Sequence, residues 1–343
     1  MAAGQKSSLG MIHQAPVDLP LTVEYRRGRA EDWLRRDDSS LLGVIEFGRA
    51  TADPGDPRHV SIALEPLGDS PGLEIWRAAG PVLTGRWQDI HYSQSRSLTL
   101  AQIPLTEATY GGIRDATRHA YQQIQSFMRR HPHHCLLKIW HYIPAINQGD
   151  GDQERYRQFC IGRAEALDVD PAARPAMPAA TAIGSPADCQ LLQIYFLCGE
   201  SPGIHVENSR QVSAPDYPRQ YGPQSPLFSR GTLMQQNGHR QFLISGTASV
   251  IGHETHHKQD VLAQARESLA NVSALLEESR RLTGSENGSM RGPLKFYVRH
   301  RQDLPQVLAA SEESHPDNPL KIYLQGDICR TDLLTELEGI ATL

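Results

Sequence analysis

No stretch of this 343-residue chain approaches the roughly eighteen consecutive apolar residues that a membrane-spanning helix requires, and the opening "MAAGQKSSLGMIHQAP" lacks the apolar core of a secretory signal. No run of five or more Lys/Arg occurs and the formal net charge is only -5, so there is no electrostatic footprint for nucleic acid or an anionic membrane. Cysteines are few and never spaced as CxxC. Cys135, Cys160, Cys189, Cys198 and Cys329 form an odd set that suits a reducing compartment better than a disulfide scaffold. These absences leave the expectation of a soluble, cytoplasmic protein whose partner is a small molecule or another protein. The hydrophobic content of 39% is enough for one large domain or two ordinary ones, and two are expected.

Residues 1–20 read as a flexible tail, and "DVDPAARPAMPAATAIGSPAD" (168–188) as a Pro/Ala-rich loop. A four-residue pattern recurs elsewhere: "LKIW" (137–140), "LQIY" (192–195), "LKFY" (294–297) and "LKIY" (320–323). Each reads as a strand with Leu and Ile or Phe on one face and Lys or Gln plus an aromatic on the other. The apolar face calls for a helix. Two apolar-periodic segments supply one each, "TEATYGGIRDATRHAYQQIQSFMRRH" (106–131) and "DVLAQARESLANVSALLEESRRL" (260–282). The order helix, strand, short helix, strand, strand thus occurs twice, before residue 212 and after 240, with "GIHVENSRQV" expected where the second copy has "LLTELEG". The predicted fold class is α+β, a duplicated unit whose mixed sheets carry helices on one face.

Five features bear on chemistry. "HETHH" (253–257) matches the H-E-x-x-H of zinc proteases, which needs both histidines on one helical face; here it falls between a strand ended by Gly252 and a helix starting near Val261, so it reads as a His-rich loop with no metal. "ERYRQFCIGR" (154–163) places Tyr156, Phe159, Cys160 and Arg163 on one helical face, and an Arg in such company calls either for an anion or for a route to the surface. "NSRQVSAPDYPRQYGPQSPLFSRG" (208–231) is too aperiodic for an element, yet Tyr217, Tyr221, Phe228 and Arg230 suit an ordered loop that binds a flat, carboxylated ligand. Lys295, Tyr297 and Arg299, with Lys321, Tyr323 and Gln325, are expected on a second cationic, aromatic face, which could equally be an oligomer interface. Finally, "TELEG" alternates so that Glu336 and Glu338 share a face with Leu334 and Ile340; from periodicity alone this reads as an edge strand whose acids discourage pairing.

"ISGTAS", "DVLAQARESLANVSALL" and "TELEG" resemble the YjgF/Rid superfamily, with Gln264, Leu269, Asn271, Glu336 and Glu338 matching its pattern in order. The whole chain, through "HYIPAIN", "RYRQFCIGR", "SRQVSA", "YPRQYGP", "FSRGT" and "GDICRTDLLTELEG", resembles the chorismatase family over roughly residues 40–343. That resemblance implies duplicated YjgF/Rid-like (chorismate-mutase-like) units: 21–228 as an N-terminal domain with its connecting loop, and 229–343 as the catalytic domain. It implies cleavage of chorismate to pyruvate and 3-hydroxybenzoate without metal or organic cofactor, some members also releasing 4-hydroxybenzoate. By the family pattern Glu336 is the acid, and Cys329, where diol-forming members carry a small inert residue, points to an aromatic product. Arg163, Tyr217, Tyr221, Arg230, Arg299, Lys321, Gly246 and Ala248 are the expected substrate contacts. Lys321 stands where Rid proteins have their carboxylate-binding Arg. A Rid-like imine hydrolase and a non-catalytic binding protein are the competing readings, and the chain is expected as monomer or homotrimer.

Overall fold

The computed structural model describes residues 19–131, 134–168, 177–236, 238–285 and 292–343; nearly all of the expected tail and residues 169–176 of the expected Pro/Ala-rich loop lie outside the described residues. The chain opens with a four-stranded sheet formed by β1 (Leu21–Arg26), β2 (Leu41–Phe47), β3 (His59–Ile62) and β4 (Leu73–Ala78), in the order β1-β4-β2-β3, with a short helix α1 (Ala30–Leu34).

The first repeat follows as β5 (Leu83–Trp87), β6 (Ile90–Gln94), β7 (Leu98–Thr106), α2 (Ile113–Arg130), β8 (Cys135–Pro144), α3 (Arg155–Leu167), β9 (Ala179–Ser185) and β10 (Leu191–Gly199). After β11 (Ile204–Val206) the second runs as β12 (Gly231–Gln236), β13 (His239–Ala248), the hairpin β14 (Val250–Ile251) and β15 (Glu254–Thr255), α4 (Val261–Thr283), β16 (Leu294–Val298), α5 (Leu304–Ser314), β17 (Lys321–Gln325), β18 (Asp327–Ile328) and β19 (Thr335–Thr342). The sheet orders are β18-β9-β8-β10-β7-β6-β5 and β11-β12-β13-β19-β16-β17. Replacing β6, β7, β8, β9 and β10 by β12, β13, β16, β17 and β19 turns one core order into the other. The single parallel pair of each sheet, β8 with β9 and β16 with β17, also corresponds. The duplication is therefore real at the level of topology. Two short strands trade places, since β11 joins the second sheet and β18 the first.

Helices α2 and α3 cover one face of the first sheet, where Phe127, Ile139 and Ile194 are buried, and α4 and α5 cover one face of the second, over Phe296, Leu337 and Val272. The other faces of both sheets share a core with the N-terminal sheet, containing Trp76, Trp140, Tyr195, Tyr297 and Ile340. The helix caps follow from sequence: Asp260 accepts from Ala263 N at 3.0 Å to start α4, and Gly284 ends it with a left-handed φ of 63°.

Four expectations are corrected. Residues 179–185, read as loop, form β9, a strand of small residues held parallel to β8. The counterpart of "TELEG" is β10, not the "GIHVENSRQV" segment, because β10 occupies the central position of its sheet as β19 does. β19 is no edge strand; it pairs with β13 on one side and β16 on the other. Lastly "LKIY" has its faces exchanged: Lys321 lies beside Leu294 and Tyr323 beside Phe296, so both share the helix side, and Ile322 and Leu324 point inward. Paired residues in a sheet share a face, so the parallel register overrides the four-residue match.

Candidate active site

A cavity of about 570 Å³ opens where the two repeats meet. Its walls are α3 and β9 of the first repeat, the 208–231 loop, the β13 strand end and β14–β15 hairpin, and the turn from Cys329 into β19. A β-bulge shapes it: Ile244 and Thr247 of β13 face Gly339 and Leu337 of β19, one residue too many on β13. Within that bulge Gly246 faces Glu336, and a Cβ there would overlap the Glu336 Oε1 atom, so only glycine leaves the carboxyl its place. Across the junction Gly246 N donates to Thr181 Oγ1 at 3.1 Å and Ala180 N to Ser245 Oγ at 2.9 Å, which pins β9 of one repeat to β13 of the other.

The two acids of β19 share a face as the alternation predicted, but their surroundings differ. Glu338 accepts from Trp140 Nε1 at 2.7 Å, Thr181 Oγ1 at 2.6 Å and Tyr297 OH at 2.6 Å, and pairs with Lys138 Nζ at 2.6 Å and Lys295 Nζ at 3.2 Å. Lys295 also pairs with Glu74 at 3.0 Å, so two cations and two anions balance in a buried layer. Against the penalty of burial, the lysines pull the Glu338 pKa down to about 2. Glu336 has no hydrogen-bond partner among the described residues and lines the cavity. Burial, joined by the Glu338 charge, pushes its pKa up to about 8, with Arg230 and Lys138 offsetting part of the rise. Beside a balanced quartet, the cations near this fifth carboxyl offset only part of the cost of burying its charge. Glu336 therefore keeps its proton near neutral pH and can give it away.

The expected contacts divide. Arg163, Tyr217, Tyr221, Arg230, Gly246, Ala248 and Cys329 all line the cavity with Glu336. Arg163 is only 4% exposed, and its Nε and Nη2 have no hydrogen-bond partner among the described residues. Arg230 is held by Val212 O at 2.8 Å and Tyr217 OH at 2.7 Å, leaving Nε free. Burial and the nearby Glu336 push the Cys329 thiol up to about 12, so it remains an uncharged wall.

Arg299 and Lys321 do not reach the cavity. Arg299 donates to Leu333 O, Ile328 O and Arg330 O at 2.8, 3.0 and 2.8 Å, and to Asn147 and Asp327 side chains at 3.0 and 2.7 Å. It shapes the Cys329 turn and has no donor left for a ligand. Lys321 pairs with Glu312 of α5 at 2.7 Å, a consequence of the exchanged faces of β17.

His253 to His257 form no helix. Gly252 turns the β14–β15 hairpin with a φ of 59°, and His253 Nδ1 lies 3.3 Å from Tyr221 OH at the cavity rim. Gln264 and Asn271 act as braces: Gln264 accepts from Leu334 N at 2.7 Å, and Asn271 donates to Ala248 O and Val250 O at 3.1 and 3.0 Å.

Sequence reading missed Thr181, His141, Arg330 and the lysines under Glu338. Thr181 was hidden in the apparent loop. Arg330, beside Cys329 in "GDICRTD", stacks its guanidinium 3.8 Å from the Tyr221 ring centre, and that adjacency was the signal available. Lys138 and Lys295 recur in the "LK" strands, but only the fold shows that both are sealed inside.

Residues 74–198 match the family described as Chorismatase FkbO/Hyg5-like, N-terminal. A 3-hydroxybenzoate synthase of Streptomyces hygroscopicus is 31% identical over 93% of this chain and 96% of its own length, and a chorismatase of Streptomyces rapamycinicus is 34% identical over 88% and 93%. A crystal structure of a chorismatase superposes with a TM-score of 0.81 at 30% identity, covering 93% of this chain and 98% of that one. With sequence likeness running nearly end to end and the same architecture in a solved relative, this chain belongs to the chorismatase family of enzymes.

Proposed function

We propose that the enzyme converts chorismate to pyruvate and 3-hydroxybenzoate, with Glu336 as the proton donor. The observation that carries this reading is a carboxylic acid that keeps its proton near neutral pH in the wall of a cavity lined by cationic side chains. Chorismate has two carboxylates, a ring and an enol ether; Arg163 and Arg230 supply charge-assisted partners, and Tyr217 and Phe228 supply ring contacts. Protonation of the enol-ether methylene carbon by Glu336 makes the three-carbon unit a leaving group. The ring's own 4-hydroxyl oxygen then attacks the neighbouring ring carbon that bears the three-carbon unit and gives up its proton to the Glu336 carboxylate; the bond to the ether oxygen breaks, pyruvate departs, and the resulting arene oxide rearranges to 3-hydroxybenzoate. No water is consumed. Cys329, uncharged and packed against apolar neighbours, keeps water from that carbon; attack by water would give the dihydroxycyclohexadiene instead.

The test is incubation of the purified protein with chorismate while pyruvate is measured enzymatically and aromatic products are separated by chromatography. Equal amounts of pyruvate and 3-hydroxybenzoate are expected, with 4-hydroxybenzoate quantified in the same run. Pyruvate without an aromatic product would place the enzyme among diol-forming members, and absence of pyruvate would sink the reading.

A further inference from the structure

Arg163 is a buried guanidinium with no carboxylate partner among the described residues. Its surroundings are neutral: its Cζ lies 4.9 Å from the Tyr121 ring centre, and its charge is felt by Tyr121, His141 and Cys160. Such a charge is costly to bury unless a ligand completes it. What then fixes its direction?

The hydrogen bonds around it admit one arrangement. His141 Nδ1 lies 2.9 Å from the carbonyl oxygen of Thr181, which can only accept, so Nδ1 carries the proton. His141 Nε2 is then a lone pair, and the Tyr121 hydroxyl at 2.6 Å must donate to it. Burial and the nearby Arg163 hold the imidazole pKa well below 6.5, so the ring stays neutral and the arrangement does not invert. With its hydrogen committed, the Tyr121 hydroxyl has only lone pairs to offer the guanidinium, whose Cζ lies 4.9 Å from the ring centre. Thr181 carries the chain onward: its Oγ1 donates to Glu338 at 2.6 Å and accepts from Gly246 N at 3.1 Å, beside Glu336.

We infer that Tyr121 and His141 are positioning residues for Arg163: they hold the guanidinium with its Nε–Nη2 edge free for bidentate pairing with a substrate carboxylate, and tie that clamp to the Thr181–Gly246 segment beside the acid. This inference rests on the reading of Arg163 as a carboxylate clamp. It assigns work to two side chains that do not themselves pair with the ligand, and it explains why a buried His donates to a backbone carbonyl rather than to a carboxylate.

The test is a double-mutant cycle. Tyr121→Phe should raise KM for chorismate about 3- to 10-fold, the worth of one hydrogen bond, and leave kcat within about twofold. In an Arg163→Ala background the same change should have no further effect on KM. His141→Gln, whose amide oxygen can still accept from Tyr121, should stay closer to the wild-type KM than His141→Asn, which keeps only the Thr181 bond. Calorimetric binding of 3-hydroxybenzoate as a probe repeats the comparison without turnover. Should the probe bind through Arg163 while chorismate is not consumed, the proposed reaction fails alone. Equal losses from Tyr121→Phe with and without Arg163, or a loss in kcat rather than KM, would overturn the positioning role.

Discussion

The layer between the two repeats has two adjoining regions, and a single strand passes through both. At Glu338 the region is sealed, with three neutral donors and two lysines around one carboxylate and a second carboxylate, Glu74, restoring neutrality. Two residues earlier, at Glu336, the same strand face borders a cavity, and among the described residues no donor bonds to the carboxyl. Identical side chains thus titrate near 2 and near 8. The difference is not depth, since both are buried, but whether the charge is balanced and hydrogen-bonded where it sits. Burial is what makes the Glu336 carboxyl hold its proton, the Glu338 charge adds to it, and the lysines of the sealed quartet, already matched by two carboxylates, offset only part of the rise.

The two repeats differ in the same sense. On the inward face of its central strand the first carries Tyr195 and Leu197, paired with Trp140 and Lys138, where the second carries Glu336 and Glu338, paired with Tyr297 and Lys295. The first repeat's contribution to the site comes instead from α3 and β9, as Arg163, Cys160 and Thr181. In the proposed reaction one copy holds the acid and the other helps hold the substrate.

Breaking the open region should have the largest effect. Glu336→Gln keeps shape and reach but has no acid proton, so turnover should fall by about 10² to 10⁴ with binding little changed; single-turnover kinetics with chorismate checks both. In the wild type, activity should fall as pH rises through about 8, where Glu336 loses its proton, and the variant should lack that limb. The stability terms have opposite signs: the favourable Glu338 contribution is lost as pH drops from 4.5 toward about 2, whereas Glu336 weakens the fold as pH climbs from 4.5 to about 8.

Breaking the sealed region should cost stability first. Lys138→Met leaves Glu338 short of a cation and should lower unfolding free energy by about 3–5 kcal/mol, measured by urea denaturation. An unchanged midpoint would mean that the layer is not the charge-balanced unit described above. Next in size, Arg163→Ala should weaken chorismate binding by about 2–4 kcal/mol, while Arg157→Ala, whose charge is already met by Glu154 at 3.0 Å, should lose less. Equal small losses in a binding titration would move the clamp to Arg230. The smallest change concerns product identity: Cys329→Ala should keep pyruvate release yet divert part of the 3-hydroxybenzoate to the dihydroxycyclohexadiene, read by chromatography, because the shorter side chain admits water.

Periodicity in the sequence by itself determined the long helices α2 and α4, the face shared by Glu336 and Glu338, the helical face that carries Arg163, and the existence of two copies, because each is a local repeat written in consecutive residues. The residue motifs pointed further, to the family and to Glu336 and Cys329. Tertiary structure alone decided the rest. Whether β19 is edge or centre, whether Lys321 faces helix or cavity, and whether Arg299 meets a ligand or a turn all depend on which strand lies alongside, which pairing register sets and local pattern does not. The strand Ala179–Ser185 escaped notice because small residues give a weak periodic signal, yet it brings Thr181 to Glu338 across 157 positions of chain. The contrast between the two acids is of the same kind: a pKa is set by the charges and donors that folding gathers within a few ångströms, and those come from β8, β9 and β16, far from "TELEG" in sequence.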